Sequence, residues 1–468
     1  MTDPRTSNSI ADLGRRLAEL VGTELGLSVE IVDLSRLTGG ASRETWSVDA
    51  HVDGVPTAWI LQRERPGGVR TGGGMSVEAS LLAEATRVGV PVPTVVMSGD
   101  QLGSPFVLCE RLGGEAIPRK LLRDDRFERA RSLVVGQAGG ALAQIHSMNA
   151  ASFRDELEEP DQIAQFRGVL DLIGDPRPVF ELGFRWLELH PCPERTSGIV
   201  HGDFRTGNLL LDDSGLVAVL DWELAHLGNP IEDLGWFCVR SWRFGSPHPA
   251  GGFGSVDELL EAYRAAGGQD VDAEELRWWE LLGTLKWGVM CLIQAATHLS
   301  GAARSVELAT IGRRACENEW DALGLLRSMS GEERLNSTPA IVHDLATGGG
   351  FHGRPTAAEL VEAVREFLEG DIRDGLQGRL SYQGRIAANA LRMVERELAA
   401  GKASSIAHDE VVAVFGVETD GELAAAIRAG DVDDRLDELA VVLAEAVEAR
   451  VRVANPAWLD AAPLTPPD

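Results

Sequence analysis

The chain has 468 residues, 44% of them apolar, and a formal net charge of −28. That length exceeds one compact core and implies roughly two or three domains, and the apolar share excludes a wholly disordered chain. The acidity excludes nucleic acid as the main partner, because binding to a phosphate backbone rests on cationic side chains, and it disfavours an anionic membrane surface.

Residues 10–25 read as an amphipathic helix with Leu13, Leu17, Leu20 and Val21 on one face. A β-rich stretch follows at 31–37, 45–52 and 57–63, with Asp53-Gly54 as a hairpin turn between the last two runs. Residues 66–76 are Gly-rich and read as a loop, 77–88 as a helix ended by Pro91 and Pro93, and 106–110 as a short apolar strand. The pattern is mainly helical from about 120 to 190, switches to short strands over 199–221, and returns to helix over 255–328. Residues 329–340 are small and polar and read as a linker. Three further helices follow: 356–370 with Thr356 as N-cap, 383–400 stopped by Gly401, and 434–452. The Pro-rich tail is expected to be disordered. Five cysteines, with no C-x-x-C pair, argue against a disulfide framework or zinc site and for reduced thiols. The N-terminus has no apolar signal core, and no run approaches the ~20 apolar residues of a membrane span. A soluble, cytoplasmic protein is expected.

The chemistry concentrates between residues 199 and 223. Asp203 and Asn208 lie on a loop entering a strand at 209–211; Asp212-Asp213-Ser214-Gly215 turn the chain, and 216–220 return antiparallel to deliver Asp221 beside Asn208. Phosphoryl transfer needs this combination. Magnesium takes hard oxygen ligands, one or two carboxylates beside phosphate and water, and a further carboxylate must orient the attacking hydroxyl and accept its proton. The Asp-x-x-x-x-Asn spacing followed by a metal-binding Asp is that of a kinase catalytic loop. Asp203 is thus the candidate base, with Asn208 and Asp221 as magnesium ligands. Alone, each of the three reads as a turn or strand-end residue; together they are specific. Asp212 and Asp213 are turn residues, His201 braces the loop from within, and Glu223 reads either as a contact to metal or substrate or, more simply, as a support behind the site.

His201-Gly202-Asp203, Asn208 and Asp221 together resemble the motif of the aminoglycoside phosphotransferase family, which includes choline and homoserine kinase relatives. The resemblance covers roughly residues 30–325. Leu37-Thr38-Gly39-Gly40-Ala41-Ser42-Arg43, Val90-Pro91-Val92-Pro93 and Gly228-Asn229-Pro230-Ile231-Glu232-Asp233-Leu234 resemble the branch of kinase domains that accompany acyl-CoA dehydrogenases. The resemblance implies an α+β, bilobal protein-kinase-like fold, with a β-rich lobe, a hinge at 106–111 and a helical lobe, and ATP and magnesium between them. It implies nucleotide contacts from Gly39, Gly40 and Ser42 in the phosphate-covering loop, from Glu110 at the hinge, and from a third-strand cation held by a helical Glu, for which Glu78 is the candidate. At the strand position Gln62 stands where the cation is expected, with Arg63 next to it. The exposed-looking cluster Arg119, Lys120 and Arg123 and the tryptophans Trp278, Trp279 and Trp287 are weaker candidates for acceptor contacts; a solvated face and core packing are their plainer readings.

His352-Gly353-Arg354-Pro355-Thr356 resembles the start of an uncharacterised helical domain attached to this branch. The expected domains are 1–110 (leader helix and β-rich lobe), 111–328 (helical lobe with the catalytic loop), 329–340 (linker), 341–455 (small all-α domain) and 456–468 (tail). The helical domain carries no catalytic constellation and reads as a module for docking a protein partner or for self-association. The expected reaction moves the γ-phosphate of ATP to a hydroxyl of a small molecule, a hydroxyacyl-CoA first and an aminoglycoside or amino alcohol second. The rival is a pseudokinase scaffold, which Gln62 favours and the intact Asp203, Asn208 and Asp221 oppose.

Overall fold

Helix α1 (Pro4–Leu25) lays Leu13, Leu17 and Val21 against one face of a five-stranded antiparallel sheet of order β1-β2-β3-β5-β4. The strands are β1 (Val29–Leu37), β2 (Arg43–Val52), β3 (Val55–Glu64), β4 (Val95–Gly99) and β5 (Phe106–Glu110). Alternation along each strand sends successive side chains to opposite faces. Trp46, Val48, Ala50, Trp59, Leu61, Phe106 and Leu108 therefore meet the apolar stripe of α1 and form one buried cluster. The β2–β3 hairpin closes through Asp53 and Gly54, both at positive φ (49° and 81°), the backbone that a tight two-residue hairpin turn requires. Helix α2 (Gly74–Val88) buries Met75, Val77, Glu78, Leu81 and Leu82.

This computed structural model describes residues 4–37, 43–64, 74–330, 356–400 and 414–460, with side chains from residue 10. It falls into two compact units: 1–160 with 194–238 and 242–271, and 161–193 with 239–241 and 272–468. The first unit holds the sheet, the helix Glu128–His146, and four short strands: β6 (Gly198–Val200), β7 (Leu209–Asp212), β8 (Gly215–Val219) and β9 (His226–Gly228). Strands β7 and β8 form an antiparallel hairpin, and β6 pairs with β9.

The second unit is helical. It joins Gln162–Ile173, Pro178–Leu189, Ala273–Leu299 and Ala315–Met329 to the later helices Ala357–Phe367, Gly378–Ala400, Asp420–Ala429 and Leu436–Ala454. Thr356 caps its helix in a capping box with Glu359. Asp420–Ala429 packs on Pro178–Leu189, and Leu436–Ala454 packs on Ala315–Met329. These late helices thus share one unit with helices before residue 330. Most of the expected linker, the Gly401 stop and the end of the tail lie outside the described residues. Among the described residues, no helix is long and apolar enough to cross a membrane.

Candidate active site

Strand β6 ends at Val200 and the chain turns sharply at Gly202, whose φ of +78° and close approach to the Leu224 carbonyl (2.3 Å from an added Cβ) leave no room for a side chain. The turn is held from below. The buried Asp233 carboxylate accepts from the backbone amides of His201 (2.8 Å) and Gly202 (2.9 Å). It also meets His146 Nε2 at 3.2 Å, while His146 Nδ1 contacts the Tyr263 hydroxyl at 2.8 Å. His201 is fully buried against Trp222 and Phe204, and its Nδ1 accepts from the Asp203 amide. Burial holds its pKa below the usual histidine value, against the pull of Asp233 and Asp203. The ring lies beneath the loop, in contact with its backbone and with Trp222.

The Asp203 carboxylate is buried and surrounded by donors. Asn208 Nδ2 donates to its Oδ2 (2.6 Å), Trp236 Nε1 to its Oδ1 (3.0 Å), and Arg205 Nε to both oxygens (2.9 and 3.1 Å). Arg205 is itself stacked over the Trp242 ring at 4.8 Å. Asn208 also donates to the Asp203 carbonyl (2.9 Å), which closes the loop on itself. Leu220 N donates to Asn208 O at 2.8 Å. That bond sets the end of β8 beside Asn208 and leaves Asp221 next in the chain, in a left-handed conformation with φ +65°. Such a backbone costs a non-glycine residue on the order of 1 kcal/mol or more and is typical of functional sites.

Asp221 has its pKa pushed up to about 7, first by burial and then by the carboxylates of Glu223, Asp203 and Glu78, with Arg43 opposing. Glu78 of α2 is raised as well, chiefly by burial, although Arg43 pulls it down. Arg43 is ion-paired with Glu78, and its Nε lies 3.2 Å from Glu223 Oε2. The Trp222 amide also donates to Glu78, tying α2 to the chain just past the β7–β8 hairpin.

The structure thus brings together Asp203, Asn208, Asp221, Glu223 and Glu78. It does not bring Arg63 to them. Arg63 is opposite Phe106 on β5 and shares the α1 face with Leu61; its Nη2 donates to Leu102 O at 2.9 Å. Strand alternation is the reason: Gln62 faces the other way, across from Thr45 and Val107. The cation held by Glu78 is Arg43, which neither the third strand nor the expected clamp predicts. Glu110 is exposed at the end of β5 and its amide donates to Thr94 O. Gly39, Gly40 and Ser42 lie outside the described residues. Cys109 is buried, with its thiol pushed up to about 12 by burial and by Glu78. Arg119, Lys120 and Arg123 are exposed, and Lys120 pairs with Glu115 at 2.6 Å. Trp279 is buried, and Trp278 Nε1 donates to His190 O at 2.7 Å.

Four contributors escape the motif itself: Arg43, Arg205, Asp233 and Trp236. Asp233 stands in the Gly228–Leu234 phrase and Arg43 ends the Leu37–Arg43 phrase, so both were within reach. Nothing in the sequence marks Trp236.

A family model described as the phosphotransferase enzyme family matches residues 33–281, more than half of the chain. The chain belongs to this family. A second model, a domain of unknown function (DUF6285), matches residues 374–458. Among curated relatives, acyl-CoA dehydrogenase family member 10 of Mus musculus is 27% identical over 244 residues, 48% of this chain and 22% of that protein. Acyl-CoA dehydrogenase family member 11 of Homo sapiens is 26% identical over 200 residues, 38% of this chain and 25% of that protein. The chain thus spans about a quarter or less of the length of these relatives. A solved structure from Ralstonia eutropha, assigned to the aminoglycoside phosphotransferases, aligns with a TM-score of 0.55 at 18% identity, over 68% of this chain and 99% of that one. The fold is that of the aminoglycoside phosphotransferases, with a helical region added at the C-terminus.

Proposed function

We propose that this enzyme transfers the γ-phosphate of ATP, with magnesium, to a hydroxyl group of a small metabolite, and that Asp203 is the residue that receives the hydroxyl. The observation carrying this reading is the convergence of Asp203, Asn208 and Asp221 on one hairpin mouth, with Asp203 oriented by three side-chain donors. Those donors fix the carboxylate's plane and position. That suits a loose phosphoryl-transfer transition state, in which the hydroxyl is aligned first and its proton leaves late.

Magnesium fits the donor chemistry. Asp221 is a buried carboxylate crowded by other carboxylates, which a divalent cation would relieve, and Asn208 adds a carboxamide oxygen. Among the described residues, no group of three or more His, Cys, Asp and Glu side chains forms a metal site by itself. A kinase-type site needs none, because phosphate and water complete the coordination. When bound through Asp221 and Asn208, magnesium would neutralise charge on the transferred phosphate. The chain's own residues would orient the hydroxyl (Asp203), fix the loop (Asp233, His201) and keep bulk water from the buried carboxylates.

For the acceptor, a hydroxylated acyl-CoA or related carboxylic metabolite is the first class. It is supported by the likeness to acyl-CoA dehydrogenase family members. An aminoglycoside or amino alcohol is the second. The proposal includes a cytoplasmic setting, for which the odd cysteine count without a C-x-x-C pair is the sequence feature in keeping. A second reading, a nucleotide-binding scaffold without transfer, is favoured by the uncharged Gln62 on β3. The test is transfer of label from γ-labelled ATP to a panel of hydroxyacyl-CoA, amino-alcohol and aminoglycoside acceptors, with and without magnesium. Magnesium-dependent labelling of one class supports the proposal. Tight ATP binding with no labelled acceptor across the panel would select the scaffold.

A further inference from the structure

Arg43 stands where the chemistry of a phosphate site needs a cation and where no motif placed one. On β2 it is opposite Glu64, two residues along the strand from Thr45, which is opposite Gln62. Directly paired residues share a face, so Arg43 and Gln62 project from the same side of the sheet, away from α1. Arg43 is buried, and both carboxylates that hold it are functional neighbours. Glu78 comes from α2, and Glu223 lies two residues past Asp221. Among the charges that act most strongly on Asp221 are the carboxylates of Glu223, Asp203 and Glu78 and, opposing them, the guanidinium of Arg43.

We propose that the nucleotide-phosphate clamp of this enzyme has moved from the third strand to the second: Arg43, braced by Glu78 and Glu223, takes the place that Gln62 cannot fill. This inference rests on the phosphotransferase reading above. A triphosphate cannot approach four carboxylates without compensating cations, and a guanidinium is well suited. It stays charged when buried and carries five N–H donors in a planar fork. The carboxylates of Glu78 and Glu223 engage its Nη1 and Nε edges and fix its plane, as a helical Glu fixes a strand lysine in other kinases. On this account Gln62 is no sign of a dead enzyme; the charge is conserved in place and relocated in sequence.

The experiment is calorimetric binding of magnesium-ADP and of adenosine to the full chain, as wild type, Arg43→Gln, and Arg43→Gln/Gln62→Lys, with thermal melts alongside. The clamp acts on phosphates and not on the base. Arg43→Gln should therefore weaken magnesium-ADP about ten- to a hundredfold, the worth of a charge-assisted contact, and leave adenosine unchanged. The double variant should recover most of the loss, because a lysine at 62 would restore the cation on the face of the sheet from which Arg43 projects. Unchanged magnesium-ADP affinity in Arg43→Gln overturns the proposal, as does an equal loss for adenosine, which marks a structural role. If Arg43→Gln does not fold, the double variant decides. Magnesium-ADP affinity within about tenfold of wild type supports relocation, and binding of adenosine without magnesium-ADP refutes it. A wild type that binds neither ADP nor ATP fails the phosphotransferase reading itself, and this inference falls with it.

Discussion

Both units of this chain bury acidic side chains, but they meet the charge differently. In the second unit, helix Ala315–Met329 buries Glu317, Glu319 and Asp321, and each carboxylate has its own partners. Glu317 is engaged by Arg314 (3.0 Å) and Asn455 (3.0 Å), Glu319 by Arg450 (3.3 Å), and Asp321 by Arg240 (2.7 Å) and Trp458 Nε1 (3.1 Å). In the first unit, Asp203, Asp221, Glu223 and Glu78 are set around two arginines, Arg43 and Arg205. A buried carboxylate with its own partner is satisfied within the fold, whereas carboxylates set close together raise one another's pKa, as Glu223, Asp203 and Glu78 do at Asp221. The first arrangement is architecture, and the second is the candidate site to which the proposal above assigns phosphate transfer.

Among single substitutions, the largest effect should come from breaking a pair in the architectural cluster. Arg240→Ala removes the ion-pair partner of the buried Asp321 and should cost about 3–5 kcal/mol in denaturant unfolding of the full chain. A loss below about 1 kcal/mol would show that the pair is solvent-screened and the contrast is false. Ending the chain at Ser330 removes Arg450, Asn455 and Trp458 together and should lower the melting temperature further than any of these changes alone.

The opposite sign is expected at the other cluster. The folded chain holds the Asp221 proton up to about pH 7, against an ordinary value of 3.8. A group whose folded pKa is raised favours folding below its unfolded pKa, and that contribution is lost as pH rises through the folded value. Asp221→Asn should therefore stabilise the ligand-free protein at pH 8 by about 2–4 kcal/mol and give little or no gain at pH 4. Equal effects at both pH values would remove the electrostatic explanation.

Arg450→Ala should be milder, about 1–3 kcal/mol, because Glu319 keeps Arg177 at 3.7 Å; urea melts of the single variant measure it. The smallest effect belongs to Arg63→Ala. Its bond to Leu102 O is worth about 1 kcal/mol of stability, and the dependence of turnover on ATP should not change. A raised ATP requirement in Arg63→Ala would return the clamp to β3.

Much of this was legible in the sequence because local rules carry it. The Asp53-Gly54 turn, the leader helix and the β7–β8 hairpin follow from alternation, helical spacing and turn residues, and the hairpin alone sets Asp221 beside Asn208. Arg43 stands in a recognisable phrase, but its pairing was not legible, since that depends on cross-strand register and on a helix far along the chain. The same holds for the late helices. Their amphipathic faces are plain in sequence, yet their partners on Pro178–Leu189 and Ala315–Met329 lie more than a hundred residues away. Arg185 with Asp433 and Arg428 with Asp171 are ion pairs of this kind, and no periodicity announces them.

The phosphotransferase account is tested most directly by separating the two aspartates. On an acceptor that the wild type labels from ATP, turnover and the affinity for a magnesium-bound non-hydrolysable ATP analogue should be measured for Asp203→Asn and Asp221→Asn. Asp203→Asn should lose about 10²–10⁴ in turnover with analogue affinity little changed, whereas Asp221→Asn should weaken the analogue itself. Near-full turnover in Asp203→Asn, or lost analogue binding there with intact binding in Asp221→Asn, would contradict the roles assigned to both.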